Sequence, residues 1–235
     1  MEWKQKLRED LDRLANDHVN RADPERGYDR RVTAAEQRVR RAMRHIYFIP
    51  NRRDCWAYVQ AVAPIDVKKI IWHHERDELI DDPRIGKGHV DVDRIEDIEP
   101  FPPPPGVRVA IYGWLHIAMH RPWLQGLASS HILERINDPN SIKGKTYIQR
   151  SADRLMKDLD LKLEELPLGT RVHLVADIEH SNLIGTVFDR YVADEASYRL
   201  VMEGARESLE CQALYDRAVG QAVASANQEE AARVG

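Results

Sequence analysis

His173, Asp177 and His180 stand at i, i+4 and i+7 of the stretch 170–187, which has no proline and no glycine before Gly185. On a helix this spacing gathers two imidazoles and a carboxylate on one face. The same side carries Leu174, Ala176, Leu183 and Ile184, so the three polar groups are expected to enter an interior. Polar groups buried there without partners cost several kcal/mol. A metal ion bonded to all three is the most economical compensation.

Two further segments offer side chains of the same kind. Ile71, Glu75 and Glu78 share a face of the stretch 67–80, and His89 follows beyond its end. Glu134 comes seven residues after Leu127 and four after Ser130, which places it on the inward side of its own helix. Glu75 or Glu78, with His89, Glu134, His173, Asp177 and His180, gives three carboxylates and three imidazoles. Carboxylates can bridge two cations and offset their charge, neutral imidazoles suit Fe(II), and an incomplete set leaves positions open for dioxygen and substrate. Zinc alone needs only about four such groups. The inventory therefore suits two iron ions. The ferritin-like pattern of one Glu-x-x-His on each of two helices is missing, and Asp177-x-x-His180 is not a substitute for it.

The elements that must position these groups read as helices. Leu7, Leu11 and Leu14 mark a surface helix over 3–15, and Thr33 is the N-cap of a second one that stops at Pro50, its arginines on the solvated side. Shorter and longer helices follow over 53–62 and 67–80, the latter ending before Pro83. Residues 83–106 form a connector with one helical turn over 92–98 and a stiff polyproline strut at Pro102 to Pro105. Helices resume over 107–119, 124–136 and 145–163, broken at Pro122, and Pro167 and Gly169 turn the chain into the His173 helix. A last helix runs from Asp194 to about Ala222. The expected organisation is one all-α domain over 1–225 and a polar tail over 226–235.

Composition narrows the function. A net charge of −4 over 235 residues gives no basic footprint for nucleic acid, and no apolar run approaches the ~20 residues of a spanning helix. The densely charged N-terminus is unlike a secretory signal, so a cytoplasmic protein is expected. Cys55 and Cys211 are the two cysteines, and they form neither a disulfide framework nor a thiolate site. Cys211 is read as packing, His116, His120 and His131 as structural histidines, and Trp72, Tyr112, Trp114 and Trp123 as core aromatics. Arg150, Arg154 and Lys157 are read as surface.

The pattern His173-x3-Asp177-x2-His180, preceded by Glu134 in ASSHILERI and by a glutamate plus His89 in HHERDELIDDPRIGKGH, resembles the haem-oxygenase-like di-iron oxidase and oxygenase family. That superfamily includes relatives of the pyrroloquinoline quinone biosynthesis C protein, the TenA thiaminases and the chlamydial death-domain-associating protein. The resemblance covers roughly the middle and C-terminal two-thirds of the chain. It implies a seven-helix haem-oxygenase-like bundle, two Fe(II) ions, O2 as co-substrate and a peroxo-diferric intermediate. It also implies a small-molecule substrate, an amino acid or amine before others, in a biosynthetic pathway. Helical bundles of this kind commonly pair, and a homodimer is the expected assembly.

The first motif departs from the family. There the glutamate and the following histidine often lie about two helical turns apart, whereas here Glu78 precedes His89 by eleven positions and Glu75 by fourteen. Glu78 is preferred as the ligand because it sits about one turn from its helix end, where a returning loop can meet it. Glu75 is then an outer partner orienting an imidazole N–H. Two other readings remain open: a metal-independent enzyme of the quinone-C or TenA kind, and a non-catalytic helical interaction protein.

Overall fold

The computed structural model describes residues 2–21, 31–91 and 95–234, and among these residues it is helical with no strand. After α1 (Glu2–Asn20), α2 (Ala34–Ala42) passes through a π-helical segment, Met43–Phe48, into α3 (Ile49–Val62). Then come α4 (Ile65–Leu79), α5 (Pro105–His120), α6 (Trp123–Arg135), α7 (Tyr147–Leu159), α8 (Leu168–Tyr191) and α9 (Glu195–Val234). No described helix is long and apolar enough to cross a membrane.

Prolines start four of these helices. Pro64, Pro104, Pro122 and Pro167 each hold an extended ψ of 135–155° immediately before α4, α5, α6 and α8. Their carbonyls accept the first intrahelical bonds, from Lys68, Arg108, Gly126 and Arg171, at 2.9–3.2 Å. Proline loses nothing there, because the N–H it lacks would have no intrahelical partner. Thr33 does cap α2, its hydroxyl accepting from the Glu36 N–H at 3.0 Å.

Several boundaries differ from the sequence expectation: α1 runs on to Asn20, and α7 ends at Leu159, with a separate 3-10 turn at Leu163–Glu165. Pro50 does not stop the second helix: the wide i→i+5 turn ahead of it, in which Ile49 N–H bonds the Arg44 carbonyl, makes room for the ring. The helix expected over 53–62 therefore begins at Ile49. α9 runs to Val234, through the residues expected as a tail, with Ala226 still buried and 228–233 exposed. In the connector the short 3-10 turns are His89–Asp91 and Ile95–Asp97, and residues 92–94 of the expected turn lie outside the described residues.

The centre of the protein is α6. Every residue from Leu124 to Leu133 is buried, polar ones included, as expected of a helix enclosed on all sides. α9 packs along α5, α6 and α2, while α8 packs on α6, α4 and α7. At the α6–α9 crossing a Cβ on Gly204 would stand 2.2 Å from the Gln125 carbonyl oxygen, so only glycine allows the backbones that close. Trp114 donates through Nε1 to Ser208 Oγ at 3.0 Å, and that hydroxyl donates to the Ser129 carbonyl at 2.6 Å, tying α5, α9 and α6 together. Trp114 is a core aromatic as expected, and Trp123 is half-buried against Tyr191. Trp72 and Tyr112 are instead exposed, since each faces away from its helix's buried stripe. His116 and His120 are also on the surface, and only His131 is interior.

Candidate metal centre

The interior faces of α4, α6 and α8 meet, and the polar groups they carry meet with them. Three groups of ligand-type atoms lie within 4.8 Å of one another: His74 with Glu78 and His180, Glu78 with His89 and His173, and Glu134 with Asp177 and His180. Glu78 and His180 each belong to two of the groups, so the three form one cluster. All six residues singled out in the sequence, with Glu78 rather than Glu75, are brought together here.

The long gap between Glu78 and His89 is closed by a tight return loop. Asp82 N–H bonds the Lys87 carbonyl at 3.1 Å, and the Asp82 carbonyl accepts from Ile85 and Gly86 N–H at 3.0 and 2.8 Å. Gly88 then lies flat on the end of α4, where a Cβ would be 2.6 Å from the Leu79 carbonyl carbon. The next residue, His89, arrives with Nδ1 at 3.0 Å from Glu78 Oε1 and Nε2 at 2.5 Å from Asp82 Oδ2. Asp82 is fully buried and also takes Arg84 Nη1 at 2.8 Å, so the loop carries its own orienting carboxylate. The signal for it in the sequence is an Asp before a proline, the opening of a side-chain-bonded turn.

Glu75, Asp77 and Glu78 are all buried. The cation for Glu75 and Glu78 comes from α3, where Arg53 Nη1 lies 2.9 Å from Glu75 Oε1 and 3.0 Å from Glu78 Oε2. Burial works to raise the Glu78 carboxyl, but Arg53 and the bonded His89 prevail and hold it well below the usual carboxylate range. Glu75 does orient an imidazole, that of His74 rather than His89, with Oε1 2.9 Å from Nδ1.

His74 is the residue missed by sequence reasoning. It stands one turn before Glu78 and three residues after Ile71, on the same face, and the adjacent exposed His73 obscured it. Its ring is fully buried between Trp56 and His180, with centroids 4.5 and 4.3 Å away. Burial would lower its pKa, yet Glu134 and Glu75 raise it to about 9. Glu134 in turn falls to about 2: burial opposes its ionisation, and His74, whose Nε2 is 3.7 Å away, outweighs it. Neither Arg135, which holds Asp12, nor Lys143 takes Glu134 from the site.

On α8, His173 Nδ1 lies 2.8 Å from Asp177 Oδ1, and burial raises the Asp177 carboxyl. His180 is the group that most needs a partner. It is 2% exposed, neither ring nitrogen has a hydrogen bond, and burial followed by the nearby His74 charge pushes its pKa down to about 3. His74 Nε2 is equally without a hydrogen bond. A hydrogen-bonded network without an ion leaves these buried nitrogens unsatisfied. A cation within reach of the neighbouring carboxylates satisfies them, and a donor set of imidazoles and carboxylates is what first-row divalent metals take. The residues therefore fit a metal ion.

His131 differs in having one ring nitrogen bonded, although its Nδ1 also makes no hydrogen bond. It lies on α6 close to the site, yet its Nε2 donates to the Ser181 carbonyl at 3.1 Å, and burial drives it to about 3, a structural histidine as expected. Cys211 is half-buried and its thiol is pushed up to about 11 by burial and by Glu210, which leaves no nucleophilic thiolate. Beside the cluster opens a cavity of about 590 Å³, lined by Glu78, His89, Glu134, His173 and Asp177 among others. Arg154, expected on the surface, instead lines it and holds Glu36 with both terminal nitrogens. No protein-family model matches the chain, and no curated protein matches its sequence.

Proposed function

We propose that the protein is an O2-dependent oxidase or oxygenase with a non-haem di-iron centre, built in a haem-oxygenase-like bundle and acting on a small metabolite held in the cavity. The observation that carries this reading is the convergence of Glu78, His89, Glu134, His173, Asp177 and His180 from α4, its return loop, α6 and α8, around a buried His180 whose ring nitrogens make no hydrogen bond. Glu78, His89 and His173 would hold one ion, and Glu134, Asp177 and His180 the other, with Glu78 near enough to His180 to belong to both. Two Fe(II) ions bound there supply the electrons that O2 activation needs.

The chain's own groups prepare the site. Asp82 fixes the His89 ring and Asp177 fixes His173, which sets the direction of each imidazole before any ion arrives. Arg53 offsets charge on Glu75 and Glu78. His74 keeps a proton between Glu75 and Glu134 in the metal-free protein, and loses it if it turns to bind an ion. The cavity beside the cluster gives a small molecule a place against the ligands.

Anaerobic loading with Fe(II), elemental analysis and then exposure to O2 test the reading. About two irons per chain and a transient visible absorption after O2 are expected, with both lost in His180→Ala and Asp177→Ala. Failure to retain iron under any loading condition, or full oxygen-dependent activity in metal-stripped protein, would exclude it.

A further inference from the structure

His74 is the imidazole of the cluster that the six-residue ligand set leaves out. His74, Glu78 and His180, all buried, bring their ligand-type atoms within 4.8 Å of one another. On α4, His74 precedes Glu78 by four residues, so both side chains enter the cluster from one helical face. Its Nδ1 lies 2.9 Å from Glu75 Oε1, and the same oxygen accepts from Arg53 Nη1 at 2.9 Å. Imidazole ligands are commonly built this way, a carboxylate holding one ring nitrogen and thereby aiming the other at the ion. Asp82 does this for His89 and Asp177 for His173.

The nitrogen aimed by Glu75 is Nε2. It is buried without a hydrogen bond, and Glu134 Oε1 stands 3.7 Å from it, beyond hydrogen-bond range. An unbonded nitrogen alone would not single His74 out, since His131 Nδ1 is also unbonded. The difference is that His131 belongs to no group of converging ligand atoms, whereas His74 shares one with Glu78 and His180. The cavity distinguishes the two ends of the cluster: His89 and His173 line it, and His74 and His180 do not. We infer that His74 is a seventh metal ligand, binding through Nε2 the same ion as His180, at the end of the cluster away from the cavity. On binding, the proton on Nε2 leaves for solvent and Nδ1–H stays on Glu75. The inner ion then has two imidazoles with Glu134 and Asp177, and the open positions fall to the ion of His89 and His173, beside the cavity. The inference rests on the two-ion reading of the site, and on neither iron nor O2.

The test loads the full chain with Co(II), which strongly displaces the NMR signals of ring N–H protons on imidazoles bound to it, and measures affinity by competition with a chelator. The natural protein should show four such exchangeable signals, from His74, His89, His173 and His180; three or fewer would overturn the assignment. Glu75→Gln, which removes only the outer carboxylate, should weaken binding of one ion about 10- to 100-fold. His74→Ala should weaken the same ion by more than Glu75→Gln does and should remove one signal. A loss no greater than that of Glu75→Gln would make His74 a positioning residue and overturn the assignment. His73→Ala, on the exposed side of α4, serves as the control and should change neither readout. If His74→Ala does not fold, the signal count in the natural protein decides alone. Fe(II) loading and O2 exposure of the natural protein keep the two readings apart. Four signals with Co(II) but no O2-dependent absorption with iron would defeat the oxygenase reading alone. Two irons that react with O2, with only three signals in the Co(II) protein, would defeat the seventh ligand alone.

Discussion

Removing Arg53 should expose how much the site's negative charge weighs on the fold. Its Nη1 serves Glu75 at 2.9 Å and Glu78 at 3.0 Å, and the three side chains are 14%, 7% and 6% exposed. Arg53→Met keeps most of the apolar stem and deletes the cation, leaving two buried carboxylates with only His74 and His89 as partners. Breaking one side of a buried ion pair costs about 3–5 kcal/mol. In a chain of this size each kcal/mol moves Tm by about 2–4 °C, so a fall of roughly 6–20 °C is expected in metal-free protein. Urea unfolding should report the same loss as a lower midpoint at constant slope. Adding Glu75→Gln to Arg53→Met should restore part of it, because one uncompensated charge goes with the cation, and the double-mutant cycle measures that coupling. In protein loaded with a divalent metal the loss from Arg53→Met should shrink, since the ion supplies positive charge at Glu78. A cost below about 1 kcal/mol, the range of an exposed pair, would refute the reasoning. So would a penalty equal with and without metal.

Two further outcomes follow from local geometry. Gly88→Ala forces a Cβ against the Leu79 carbonyl carbon, which must push His89 off Glu78; metal affinity measured by competition with a chelator should fall about 10- to 100-fold, and unaltered affinity would refute the role given to the loop. Glu36 is held by Arg154 and Arg40, with burial raising its carboxyl and the two guanidinium groups outweighing burial, so its pKa lies below the usual 4.5. A depressed folded-state pKa means the stabilisation is whole above about pH 4.5 and disappears as pH falls through the lowered value. Glu36→Gln should therefore cost about 1–3 kcal/mol near neutrality and flatten the acid limb of the urea midpoint against pH; an unchanged acid limb would count against the pair.

The parts of this protein that follow helical periodicity could be read from the chain. His173, Asp177 and His180 share a face because 3.6 residues make a turn, and no tertiary knowledge is needed to see it. The same argument put Glu134 inward and found Thr33 as a cap. What periodicity does not carry is the path of the chain between helices. The choice between Glu75 and Glu78 depended on where the loop 80–88 returns, which Asp82 and Gly88 decide through a side-chain turn and a backbone contact. Charge patterning misled at Arg154, which reads as surface because arginine usually is, and only Glu36 opposite it reveals otherwise. Pro50 reads as a stop in any α-helical count, and a wider turn upstream is a tertiary solution that the proline itself does not announce.

The burial of α6 on every side has a consequence for how the chain is made. α6 leaves the ribosome before α8 and α9, the two helices that cover much of its surface. Until they follow, Leu124, Leu127 and Ile132 have only the packing that α1, α3 and α5 supply, and a nascent chain that ends before α8 leaves part of this helix's apolar surface uncovered. Chains in that state are prone to association with one another. The N-terminal two-thirds should thus fail as an independent fragment, and mutations that slow the docking of α9, such as side chains added at Gly204, should lower soluble yield out of proportion to their effect on the finished fold. Glu134 sits in the last turn of this helix, so the cluster too waits on the C-terminal half of the chain for its assembly.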